Sequence, residues 1–230
     1  MTTLRLPVQD DAGNELKDGT FEKAERYGTL VGKAADSALA KATPLALTPF
    51  DVRRREVLLP MDNPVYRLAS QLGTLKRQVY LWEGDPTPKA MAPAPDLSKP
   101  VAVKSEVGYL KLGELEVATI PGEIYPELVL GKVVTPAEPG ADFPHAPAEP
   151  ALYDQLRGKH RMIVGLANDE LGYFVPKRQW DEKAPFCYGR RSAQYGEVNS
   201  VGPETAPILC ETFRRLVRGS SWSRLQFWRT

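Results

Sequence analysis

Ten prolines crowded into two short segments constrain this chain more than any other feature. "GDPTPKAMAPAPDLSKP" (84–100) and "VTPAEPGADFPHAPAEP" (134–150) hold five prolines each. Proline has no N–H to give a ladder or a helix, and its ring clashes inside a helical turn. Neither segment can be a continuous helix or a central strand, and both are expected as surface loops with few packed contacts. The regular elements must lie in the three stretches around them.

Before the first break, "TFEKAERYGTLVGKAADSALAKA" carries Phe21, Ala24, Leu30, Val31, Ala34, Ala35, Ala38 and Leu39 at helical spacing. Thr20 is placed as its N-cap and Glu22 lies in its first turn. "REVLLPM" reads as a short strand. "NPVYRLASQLG" reads as a helix that Asn63 caps and Pro64 opens, and "RQVYLW" as another strand. Between the breaks, "VKSEVGYLKLGELEVATI" reads as a hairpin, with Tyr109-Leu110 and Leu115 to Ile120 as strands and Gly113 in the turn. After the second break, "ALYDQLRG" reads as a short helix and "RMIVGLA" as a buried strand. "PETAPILCETFRRLVRG" opens with Pro203, spaces Ile208, Leu209, Phe213, Leu216 and Val217 helically, and stops at Gly219. No internal repeat is present. Strands and helices alternate without a strict βαβ rhythm, so the expected class is mixed α/β, an α+β layered fold with a sheet and flanking helices.

Charge excludes some partners. Thirty Lys and Arg stand against 29 Asp and Glu, for a net charge of +1, which gives no general attraction for nucleic acid. The runs Arg53-Arg54-Arg55 and Arg214-Arg215 read as solvated faces. No run approaches the ~20 apolar residues of a membrane span, and the first residues have no apolar core of signal-peptide length. Cys187 and Cys210 make neither a disulfide framework nor a CxxC zinc pattern, and read as ordinary thiols.

The chain lacks GxGxxG after a strand, GxxxxGKS, GxSxG and HExxH. Its two histidines are His145, in a proline-rich loop, and His160, just before a strand, and both read as solvated. Chemistry is better sought at two strand ends. "ATIPGE" delivers Glu123, and "RMIVGLANDELGYFV" delivers Asn168, Asp169, Glu170 and Tyr173; sites in layered α/β proteins gather where strands give way to loops. The plainer reading has these acids capping turns and Tyr173 packing its ring.

Three of these stretches, "ATIPGEIYPELVLG", "MIVGLANDELGYFVP" and "QYGEVNSVGPETAPIL", resemble in order the later part of the catalytic domain of the neutral, non-lysosomal ceramidases. "FEKAERYGTLVGKAA" and "VLLPMDNPVYRLASQLG" resemble the divergent bacterial branch of that family, so the resemblance spans most of the chain. It implies a zinc amidohydrolase that splits ceramide, or a related lipid amide, into a sphingoid base and a fatty acid. It further implies Glu123, in the Pro-Gly-Glu turn, and Tyr173, after the Gly-Leu-x-Asn strand end, as zinc ligands. Tyr195 is implied beside the substrate, in a loop longer than the family pattern. A carboxylate and a phenolate can both bind zinc, and zinc lowers the pKa of bound water towards ~7.

The resemblance also implies a deficit. The family's two zinc histidines and its essential serine lie in a first half that nothing in this chain matches, and its immunoglobulin-like domain has no match either. The expectation is a C-terminal half, a partial domain that holds zinc weakly or not at all and is inactive alone. Its expected partners are a ceramide-like lipid and either the missing half or a second copy. The alternative is a binding module that keeps the fold without the chemistry. Relatives of this kind are secreted or periplasmic, and the resemblance implies the same setting.

Overall fold

The strand-rich run between the two breaks becomes the middle of the sheet. This is seen in a computed structural model that describes residues 7–88, 93–94 and 96–219; residues 89–92 and 95 of the first proline-rich segment lie outside them. The chain forms two compact units, Met1–Leu45 and Ala46–Thr230. The architecture is mixed α/β, a mixed sheet flanked by helices, as the alternation of elements predicts.

In the larger unit, β3 (Val101–Leu112) pairs antiparallel along its whole length with β1 (Phe50–Pro60). On its other edge β3 pairs with β2 (Val79–Leu81) at one end and with β4 (Leu115–Thr119) at the other. The β3–β4 turn needs Gly113: its φ is +56°, and a Cβ there would lie 1.9 Å from the Ala46 carbonyl oxygen. Strand alternation sends Val101, Val103, Val107 and Tyr109 of β3, with Val57 and Leu59 of β1, into one core. The helix α5 (Thr205–Arg218) packs over β1 and β3 with Ile208, Leu209, Phe213 and Leu216 buried, and Gly219 ends it in the left-handed conformation.

Several expectations need correction. β1 runs 11 residues, far longer than the "REVLLPM" strand, because its first half pairs with β3 although its side chains are largely exposed. The "RMIVGLA" strand, β6 (His160–Val164), is not buried: it pairs in parallel with β4 at the end of the sheet order, and Met162 and Val164 are exposed. A short apolar run does not distinguish a covered strand from an edge strand. "ALYDQLRG" shrinks to a 3-10 turn over Tyr153–Gln155. Both cysteines are free and buried.

Nor are the proline-rich segments loosely attached. Pro86 accepts a hydrogen bond from the Leu58 N–H (2.8 Å), Pro100 accepts one from Trp82 (3.0 Å), and the Glu149 carboxylate accepts one from Lys177 (2.8 Å). Proline removes a donor but keeps its carbonyl, and those carbonyls are what tie the first segment down.

The smaller unit is built around α1 (Phe21–Ala40). Thr20 accepts from the Lys23 N–H at 3.2 Å, as its N-cap position predicts. Lys23 is buried in an ion pair with Asp18, while Phe21, Leu30, Val31 and Leu39 are exposed. The expected apolar stripe is present but uncovered.

Candidate functional site

A second, two-stranded sheet brings the strand ends together. β5 (Glu123–Ile124) and β7 (Tyr173–Phe174) are parallel, with Glu123 opposite Tyr173 and Ile124 opposite Phe174. Residues paired in register project to the same face, so Glu123 and Tyr173 stand side by side while Phe174 turns into the core. The pairing depends on glycine. A Cβ on Gly122 would lie 2.4 Å from the Gly172 carbonyl oxygen, and one on Gly172 would lie 1.9 Å from that of Asn199. Three backbones therefore stack here, joined by Glu123 N–H to Gly172 (2.9 Å) and Tyr173 N–H to Asn199 (2.9 Å).

Asn63 locks the frame behind them. Its Oδ1 caps α2 (Pro64–Gln71), accepting from Val65 and Tyr66, while its Nδ2 donates to the carbonyls of Val198 (2.9 Å) and Ser200 (2.8 Å). Tyr195 opens the short helix α4 (Tyr195–Val198), and its ring meets that of Tyr173 edge to face with centroids 5.6 Å apart. Glu123, Tyr173 and Tyr195 all line one cleft of about 480 Å³, with Met61, Val65 and Leu75 among its apolar walls.

Burial, and then the facing Glu123 carboxylate, push the Tyr173 phenol up to about 12. At neutral pH Tyr173 is therefore a neutral phenol. Asp169 is not a solvated turn residue, whereas exposed Glu170 does cap its turn. Asp169 takes a bidentate ion pair from Arg77 and a hydrogen bond from Ser105 (2.7 Å). Its burial works against ionisation, but Arg77 and Ser105 outweigh it and hold the carboxyl below its ordinary range. Glu170 lines the cleft and accepts from the Gly172 N–H at 2.6 Å. Asn168 sits at φ +69° beside Thr119, outside the cleft lining.

Sequence reasoning missed Tyr66, Tyr125 and Glu197. Tyr66 lines the cleft from α2. Tyr125 follows Glu123 by two residues, and that alternation was the available signal; its ring meets Tyr173 with centroids 6.3 Å apart. Glu197 lies behind them, 1% exposed, and burial pushes its carboxyl up to about 7. Nothing in the local sequence marks it.

The histidines are elsewhere. His160 opens β6 opposite Leu115, and His145 lies against a separate hollow with Asp142, Phe143 and Lys177. Among the described residues no three His, Cys, Asp or Glu gather where they could hold a metal ion. Glu123 and a neutral Tyr173 are two oxygen donors, whereas zinc sites use three or four protein ligands. Glu123 and Tyr173 by themselves are fewer donors than a zinc shell uses.

No helix among the described residues is long and apolar enough to cross a membrane. No family model matches the sequence, and no curated protein matches it. Among solved structures, the neutral ceramidase from Pseudomonas aeruginosa is matched with a TM-score of 0.49 and 14% identity, over 91% of this chain and 34% of that one. The chain thus spans about a third of that protein's length, and the likeness is a distant one of fold.

Proposed function

We propose that the cleft is part of an amide-hydrolase site of the neutral-ceramidase kind, which takes an N-acyl sphingoid lipid. Glu123 and Tyr173 would supply two of the oxygens of a metal completed by other donors, and Tyr195 would flank the substrate. The observation that carries this reading is the parallel pairing of Glu123 with Tyr173 at the wall of a largely apolar cleft. The sequence resemblance supports it independently. A cleft of about 480 Å³ falls within the ~300–1,000 Å³ usual for small-ligand sites. Its apolar walls suit an acyl chain, and its carboxylate and phenols suit the polar amide and hydroxyl groups. Any metal held here needs further donors beyond Glu123 and Tyr173.

The second reading is a lipid-binding module without turnover, favoured by the two-oxygen donor set. A fluorescent short-chain ceramide separates the outcomes. We expect saturable binding that Glu123→Gln and Tyr195→Ala weaken, without amide cleavage by this chain alone. Cleavage together with stoichiometric zinc that survives dialysis would discard the binding-module reading. Failure to bind, or binding by both variants as tight as the parent's, would discard the lipid cleft itself.

A further inference from the structure

The two arginine runs that read as solvated faces converge in space. Arg53 of β1 and Arg214 of α5 line one hollow of about 410 Å³, with Arg157, Arg218, Tyr109, Glu116 and Asp154 also on its wall. Arg53 ties the two elements together by donating to the Val217 carbonyl at 3.2 Å. The hollow is separate from the lipid cleft. Tyr109 lines one and Val103 the other, and six residues of strand at ~3.3 Å each put them about 20 Å apart along β3.

We propose that this hollow binds a phosphate monoester dianion. Four guanidiniums stand on its wall, beside the carboxylates of Glu116 and Asp154. The partners of each arginine decide which of them can meet a ligand. Arg53 is paired with Asp51 and lies 5.5 Å from the Tyr109 ring centroid, and Arg214 is held by Glu211 at 2.6 and 2.9 Å. Arg157 and Arg218 are exposed and have no carboxylate partner among the described residues. They are the groups free to meet a ligand.

The buried acid on the wall does not oppose this. Burial of Glu116 disfavours its charge, but the N–H groups of Arg157 (2.7 Å) and Gly158, with Tyr109 and Lys111, outweigh that and keep it ionised and occupied. Those bonds also fix the loop that presents Arg157. Gly158 permits the approach, since a Cβ there would lie 2.6 Å from the Glu114 carbonyl oxygen. The planar guanidinium fork matches phosphate geometry, and the hollow gathers four such forks on one wall. The hollow is larger than inorganic phosphate alone, so it has room for the organic group of an ester.

Calorimetric titration of the whole chain with inorganic phosphate, against chloride at equal ionic strength, tests the site. Saturable binding is expected, accompanied by a rise in melting temperature. Charge-assisted hydrogen bonds set the scale of the loss: Arg157→Ala or Arg218→Ala should each weaken binding about tenfold. Both side chains are exposed, so the melting temperature without phosphate should not move. A second arm uses phosphatidylcholine vesicles doped with phosphatidic acid. Arginine-dependent binding to them identifies a lipid headgroup as the source, and phosphate binding without vesicle binding identifies a soluble ester. Absence of saturable binding in both arms, or affinity unchanged in the Arg157→Ala, Arg218→Ala double variant, overturns the proposal.

Discussion

Helices α1 and α5 both carry an apolar stripe at helical spacing, and the structure treats them in opposite ways. In α5, Phe213 is 0% exposed beneath β1 and β3; in α1, Phe21 is 95% exposed. Periodicity states which face of a helix could be covered, and only a facing surface of matching shape covers it. Sheet strands with alternating valines supply that surface to α5. Among the described residues of the smaller unit nothing comparable faces α1, which is held at its start by the Thr20 cap, the Lys23–Asp18 pair and the bonds of Arg26 to Gln9 and Asp11.

The sharpest way to break this comparison is truncation on each helix. Phe213→Ala should cost about 3–5 kcal/mol, the range for removing a buried aromatic side chain. Leu30→Ala should stay within about 0.5 kcal/mol, as for an exposed position. Urea unfolding of both variants is the measurement, and equal losses would show that the α1 stripe has a partner after all.

A second contrast sets one buried titratable group against another. Lys23 is buried with a carboxylate partner, whereas the Glu197 Oε2 has no hydrogen-bond partner among the described residues. Burial raises the Glu197 carboxyl from 4.5 to about 7, so the folded chain holds this proton more tightly than the unfolded chain does. Its contribution to stability is complete below the unfolded value and is lost as pH rises through about 7. Glu197→Gln should therefore flatten the pH dependence between those values. Above pH 7 it should gain roughly 2–3 kcal/mol over the parent. Melting temperatures across a pH series provide the check, and parallel curves for parent and variant would refute a raised Glu197 carboxyl.

The smallest effect concerns the cap of α1. Thr20→Ala should cost about 1 kcal/mol and should appear as lost helical circular dichroism, leaving the unfolding of the larger unit in place. A coupled loss in both units would show that α1 is not locally held.

Local rules were legible wherever the cause is local. Thr20, Asn63 with Pro64, Gly113 and Gly219 mark helix starts, a turn and a helix end because each meets a backbone need within a few residues. The strand alternation of β3 and the helical spacing of α5 were legible for the same reason. Glu123 and Tyr173 were legible as strand ends, but Tyr66 and Glu197 were not, since they join the site region from α2 and α4 through long-range packing.

By itself, the sequence determined the period of each element, the turns that need glycine, and a net charge of +1. Tertiary structure alone decided that β6 is an edge strand, that proline carbonyls anchor the first break, and that Arg53 and Arg214 share one hollow. It also decided that Glu123 stands opposite Tyr173. The physical reason is the same in each case. Conformational preference acts over a few bonds, whereas burial and charge depend on groups that only folding makes neighbours.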